Sequence, residues 1–117
     1  MERKLSVLIL LLAGIFTFSV YADDYNARKA KEYTREAEYY QKKADGYRRE
    51  AEYHLKKAES YQREVSYYTK HGNADKARTY SRYADQEMDK YKTQMRYAAD
   101  ADSKAADYLR RAANLLK

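Results

Sequence analysis

From residue 25 onward, alanine and tyrosine return every seven residues, and charged side chains fill the positions between them. Three blocks align without gaps: residues 33–46 read YTREAEYYQKKADG, residues 47–60 YRREAEYHLKKAES and residues 61–74 YQREVSYYTKHGNA. The preceding YNARKAKE, residues 25–32, matches the second half of the same unit. Self-similarity at a fixed period marks a repeat architecture, and this period is two heptads. Ala30, Ala37, Ala44, Ala51, Ala58 and Val65 form one row. Tyr33, Tyr40, Tyr47, His54, Tyr61 and Tyr68 form a second row three positions on. The two rows predict one long amphipathic helix with a coiled-coil seam, supercoiled to the left because the spacing is a strict seven. Alanine lets two backbones approach closely, while tyrosine supplies buried area and keeps its hydroxyl at the wet margin. Glu38–Lys42, Asp45–Arg49, Glu52–Lys56 and Glu59–Arg63 are acid-before-base pairs at the favoured i, i+4 spacing.

The repeat decays at Lys70-His71-Gly72-Asn73-Ala74-Asp75. Gly72 suits the left-handed position that ends a helix, and Asn73 suits the cap of the next. Beyond it, Ala77, Ala84, Tyr91, Ala98, Ala105 and Ala112 lie seven apart. Ser81, Met88, Met95, Asp102, Leu109 and Leu116 are the expected companion row, with Tyr80, Tyr108 and Leu115 widening the stripe. Asp102 is the awkward member, expected either to pair with a cation across the seam or to mark where the helices part. The predicted fold is all-α: a long antiparallel helical hairpin with a helix over about 25–71, a turn at 72–73 and a helix over about 74–116.

Residues 1–22 follow a different rule. Arg3 and Lys4 precede the uncharged run LSVLILLLAGIFTFSV, and Val20-Tyr21-Ala22 offers small residues at a cleavage site. This is the layout of a secretory signal peptide cleaved after Ala22, the alternative being a retained N-terminal anchor. The hairpin domain is then 23–117, periplasmic or secreted, with no transmembrane segment once the signal is removed. Cleavage would take away both Phe and every Ile, leaving Leu55, Val65, Met88, Met95, Leu109, Leu115 and Leu116 as the large aliphatics beside a wealth of Tyr and Ala. The chain has no Cys, so a disulfide framework, a thiolate metal site and a cysteine nucleophile are excluded. With no Pro and three Gly, an all-β sandwich or barrel lacks its turns.

Catalysis finds little support. His54 and His71 are the two histidines, and His54 stands where the other repeats place Tyr, which reads as a substitute at a seam position. No HExxH pattern, phosphate-binding glycine loop or serine elbow occurs. No catalytic residue, cofactor site or metal site is expected. The net charge is +6, and Arg28, Arg35, Lys42, Arg49, Lys56, Arg63 and Lys70 fill one heptad row. Such a row reads first as a solvated face. For an exported protein its partner would be an envelope polyanion, such as lipopolysaccharide phosphates, rather than nucleic acid.

The sharper feature is a second tyrosine row. Tyr25, Tyr39, Tyr53 and Tyr67 are spaced by fourteen, off the seam, with Glu32, Gly46 and Ser60 between them and Ala74 after the last. Large and small alternate, the rings returning about every 21 Å along a helix. The residues three and four after each ring are Arg28 and Lys29, Lys42 and Lys43, Lys56 and Lys57, Lys70 and His71, so cation–π contact can tidy an exposed face. The alternation also suits rings of one hairpin entering the gaps at Gly46 and Ser60 of another. The Ala-seamed helices and terminal Lys117 resemble in composition the short outer-membrane lipoproteins of the alanine-zipper type, although the cysteine that defines those proteins is missing. Two functions are expected from these observations: a non-enzymatic, exported structural or interaction protein that forms homo-oligomers, or a periplasmic helical module that binds a client protein, a polyanion or a glycan on its basic tyrosine-lined face.

Overall fold

The structure, a computed structural model, describes residues 24–117; the expected signal peptide over 1–22 lies outside the described residues. The described chain is all-helical. Helix α1 runs Asp24–Lys70 and helix α2 runs Ala74–Leu115. Two long helices joined by so short a turn are consistent with a helical hairpin. Both helices are built from good helix formers with no proline to interrupt them. Asp24 and Asp75 sit in the first turns and Lys70 in the last turn of α1, each with the sign the helix dipole favours. Among the described residues, no helix is long and apolar enough to cross a membrane.

The turn is closed from both sides. Gly72 adopts φ 74°, the left-handed conformation that L side chains avoid. Its N–H donates to the Thr69 carbonyl at 3.2 Å, and the Asn73 N–H donates to the Tyr68 carbonyl at 2.9 Å, the paired bonds of a Schellman motif. Asn73 also opens α2: its side-chain Oδ1 accepts from the Lys76 N–H at 3.2 Å, and its carbonyl accepts from the Ala77 N–H at 3.1 Å.

The chain divides into two compact units, and each helix contributes to both. The first comprises, of the described residues, 24–44 and 99–117. Its core is Ala30, Ala37, Ala105, Leu109 and Ala112, with Tyr33, Tyr40, Tyr108, Leu115 and Leu116 packed against it. The Tyr108 ring lies 5.9 Å from Tyr33 and 5.8 Å from Tyr40, nearly parallel to the latter. Lys104 and Arg111 sit over Tyr40 and Tyr108.

The second unit is Asp45–Ala98. Ala51, Ala58, Ala84 and Ala98 are buried there. Tyr47 meets Tyr97 at 5.4 Å, Tyr61 meets Tyr80 and Tyr83, and Tyr68 stacks on Tyr80 at 5.6 Å.

In α2 the companion row differs from expectation. Ser81 and Met95 are exposed, and Met88, Asp102 and Leu116 are half-buried; Leu109 alone of that row is buried. The inward row lies one residue earlier, at Tyr80, Glu87, Gln94, Ala101, Tyr108 and Leu115, all buried or half-buried. The reason is ring packing: Tyr80 and Tyr108 dock on the α1 tyrosines, and this turns the +3 side of each alanine toward α1 instead of the +4 side. The side-chain pairs on α1 also differ in part. Lys56 meets Glu52 at 3.2 Å, whereas Asp45 turns to Arg48 at 2.7 Å rather than to Arg49. An i, i+3 partner is equally a surface neighbour on a helix.

Candidate functional site

Two features gather chemistry, one in the second unit and one along α1. The first is a polar centre between the helices. Where neighbouring levels pair ring with ring, His54 on α1 faces Glu87 on α2, and His54 Nδ1 donates to Glu87 Oε2 across 2.5 Å. Glu87 is only 5% exposed and is the buried charged residue among those described. Lys57 Nζ and Lys90 Nζ approach its other oxygen at 3.5 and 3.6 Å. His54 Nε2 points toward Glu50 at 3.9 Å.

Burial pushes the Glu87 carboxyl up. The hydrogen bond from His54 and the charges of Lys57, Lys90 and His54 together outweigh burial and hold the group below its ordinary value of 4.5. The same carboxylate, and after it Tyr53, raises the Lys57 ammonium. His54, Asp89, Lys90, Thr93 and Gln94 line a shallow open cleft beside this centre. Both ring nitrogens of His54 thus face carboxylates, Nδ1 in a hydrogen bond and Nε2 at longer range. Among the described residues, no three His, Asp or Glu side chains are grouped to hold a metal ion.

The second feature is the outer tyrosine row. Tyr25, Tyr39, Tyr53 and Tyr67 are between 51% and 64% exposed. Three of them repeat one local construction. Tyr39, Tyr53 and Tyr67 each meet the next residue's ring edge-on at 5.1–5.2 Å, namely Tyr40, His54 and Tyr68. The residue four positions on then covers the outer ring: Lys43 at 5.2 Å from Tyr39, Lys57 at 5.4 Å from Tyr53, and the His71 imidazole stacked 4.2 Å from Tyr67. The i+4 position supplies these contacts. Lys29, four after Tyr25, sits over Tyr33. These three rings are therefore held in place while about half of each residue's surface remains open to solvent.

Between the rings, Ser60 is exposed and Gly46 half-buried, and a Cβ on Gly46 would meet nothing within 4 Å. Of the expected seam residues, Ala30, Ala37, Ala44, Ala51 and Ala58 are buried, while Tyr33, Tyr40, Tyr47, Tyr61, Val65 and Tyr68 are half-buried. Tyr83 and Tyr97 on α2 are also exposed, each with its ring against an α1 tyrosine. Sequence reasoning missed Glu87. The signal for it was His54 itself, because a polar residue in an inner row requires a polar partner, and Glu87 is the carboxylate on the inward row of α2. Comparison with protein-family models, curated proteins and solved structures finds no match.

Proposed function

We propose that the chain is an exported, non-enzymatic structural or interaction protein of the cell envelope, its helices wound as a coiled-coil hairpin with an Ala/Tyr seam, and that it self-associates through its tyrosine and alanine faces. One observation carries this reading. Apart from Leu109, every buried hydrophobic residue described is an alanine, and no large side chain described is fully buried. The chain's large apolar payload, its tyrosine rings, lies half-covered or open. A small domain that buries so little gains stability from oligomerisation, and rows of exposed rings are surfaces that soluble proteins usually cover. The test is light-scattering mass together with circular dichroism over a range of protein concentrations. Mass and helicity should rise together, and Tyr39→Glu combined with Tyr53→Glu should lower the mass while leaving most helicity in place. A wild-type protein that stays monomeric at high concentration with unchanged helicity would overturn the reading.

A second reading has its own support. Arg28, Arg35, Lys42, Arg49, Lys56, Arg63 and Lys70 are all exposed. A row of this kind suits an envelope polyanion, and attraction between exposed charges weakens as salt screens it. Co-sedimentation with lipopolysaccharide that disappears at high salt supports this binder; retention independent of salt argues against it.

A further inference from the structure

In the second unit the charges on α1 are in step with the rings. Gly46, Tyr53, Ser60 and Tyr67 follow one another at seven-residue steps, and the adjoining row four residues on reads Glu50, Lys57, Glu64 and His71. Residues four apart are neighbours on a helix surface. Each exposed ring thus has a basic group beside it, and each small residue has an acid: Tyr53 with Lys57, Tyr67 with His71, Gly46 with Glu50, Ser60 with Glu64. Gly46 is an independent observation. Glycine weakens a helix interior relative to alanine, yet a Cβ there would meet nothing within 4 Å of its own chain. Its small size answers no need inside this chain.

We propose that this face docks a second copy of the chain with the two α1 helices parallel and displaced by one heptad; the proposal rests on the self-association reading above. With that displacement, Tyr53 lies over Gly46 of the second copy and Tyr67 over its Ser60. Lys57 meets Glu50 of the second copy, Glu64 meets its Lys57, and His71 meets its Glu64. The shift is about 10.5 Å at the helical rise. Pairing without displacement sets ring on ring, Glu50 on Glu50 and Lys57 on Lys57, which like-charge repulsion opposes. An antiparallel copy that seats Tyr53 on Ser60 and Tyr67 on Gly46 satisfies the sizes equally, but it brings Glu50 beside Glu64 of the second copy and Lys57 beside its own counterpart, which like-charge repulsion opposes. The alternation of size thus admits both arrangements, and the alternation of sign selects the displaced parallel one.

The chain has no cysteine, so single cysteines report contacts cleanly. A disulfide forms only when the two Cα atoms lie about 4.4–6.8 Å apart. Full-length Gly46→Cys and Tyr53→Cys proteins are mixed and mildly oxidised with diamide, and so are Ser60→Cys and Tyr67→Cys. The expected result is that the mixed disulfide predominates over both homodisulfides in each mixture. Predominant homodisulfides, or a mixed disulfide in the first pair and not in the second, overturn the displaced parallel arrangement. Where loss of a ring prevents assembly, Glu50→Cys mixed with Lys57→Cys gives the same reading, again with the mixed product expected. Light scattering on the unsubstituted protein separates the two levels. A monomer at high concentration removes self-association and this proposal together; an assembly that yields no mixed disulfide removes only this proposal.

Discussion

Glu87 is the most exacting test of the interior. Its replacement by alanine removes an acceptor whose distance from His54 Nδ1 is 2.5 Å. A hydrogen bond to a charged group contributes about 1.5–3 kcal/mol net. The Lys57 and Lys90 side chains are 39% and 59% exposed, so solvent screens these pairs and the His54 bond carries the effect. Removal also leaves His54, whose side chain is 15% exposed, without the carboxylate bonded at its Nδ1. Glu87→Ala should therefore cost about 2–3 kcal/mol at neutral pH. The double replacement His54→Leu with Glu87→Leu should be near neutral or stabilising, because apolar groups of similar volume avoid the desolvation that a buried pair carries.

The pH dependence has a definite sign. The folded pKa of Glu87 lies below its unfolded value, so the native state holds fewer protons in the acid range. Its contribution is complete above about pH 4.5 and is lost as pH falls through the lower folded value. Urea denaturation followed by circular dichroism, at one fixed protein concentration, measures both effects. The gap between wild type and Glu87→Gln should close on acidification. A loss under about 0.5 kcal/mol for Glu87→Ala, the range of an ordinary surface substitution, or a gap that widens in acid, would refute the reasoning.

The two helical-region glycines should respond oppositely to alanine, since neither Cβ would meet a neighbour within 4 Å. Gly46→Ala should stabilise the helix by about 1 kcal/mol, while Gly72→Ala should cost about 1–2 kcal/mol because its φ is 74°; thermal melts showing the same sign for both would contradict the account. Ala44 and Ala51 are 0% and 1% exposed. Leucine at either should overpack and cost about 1–3 kcal/mol, and melts unchanged for both variants would place these residues outside the interior.

The two-helix architecture was legible because the Ala and Tyr rows repeat over many turns and end at Gly72-Asn73, residues with conformational and capping preferences of their own. The inner face of α2 was less legible. Its alanine row carries flanking rows at both +3 and +4, each with apolar members: Tyr80, Tyr108 and Leu115 on one side, Met88, Met95 and Leu109 on the other. Which side turns inward depends on where Tyr68, Tyr33 and Tyr40 present their rings. That information belongs to the partner helix, and a one-dimensional pattern does not contain it. Glu87 was hidden for a related reason, since a carboxylate in a chain this rich in charge reads as solvated until His54 is set opposite it. The exposed Tyr25–Tyr67 row was visible at once, because its period is independent of any packing partner.

Asn73 bonds to both helices at once, and this makes the connection a choice between topologies. Were Gly72 to relax into right-handed helix, α1 and α2 would run on as a single rod, and the inner face of α1 would find its complement only in another molecule. That is the route to domain exchange, where the same contacts form between chains instead of within one. The bonds from Gly72 to Thr69 and from Asn73 to Tyr68 hold the path closed. Gly72→Ala weakens that closure while leaving every interior contact available to an exchanged partner. The variant is thus expected to accumulate a dimer that survives dilution and reverts only through unfolding, whereas a dimer that dissociates promptly on dilution would mean that the turn does not govern exchange.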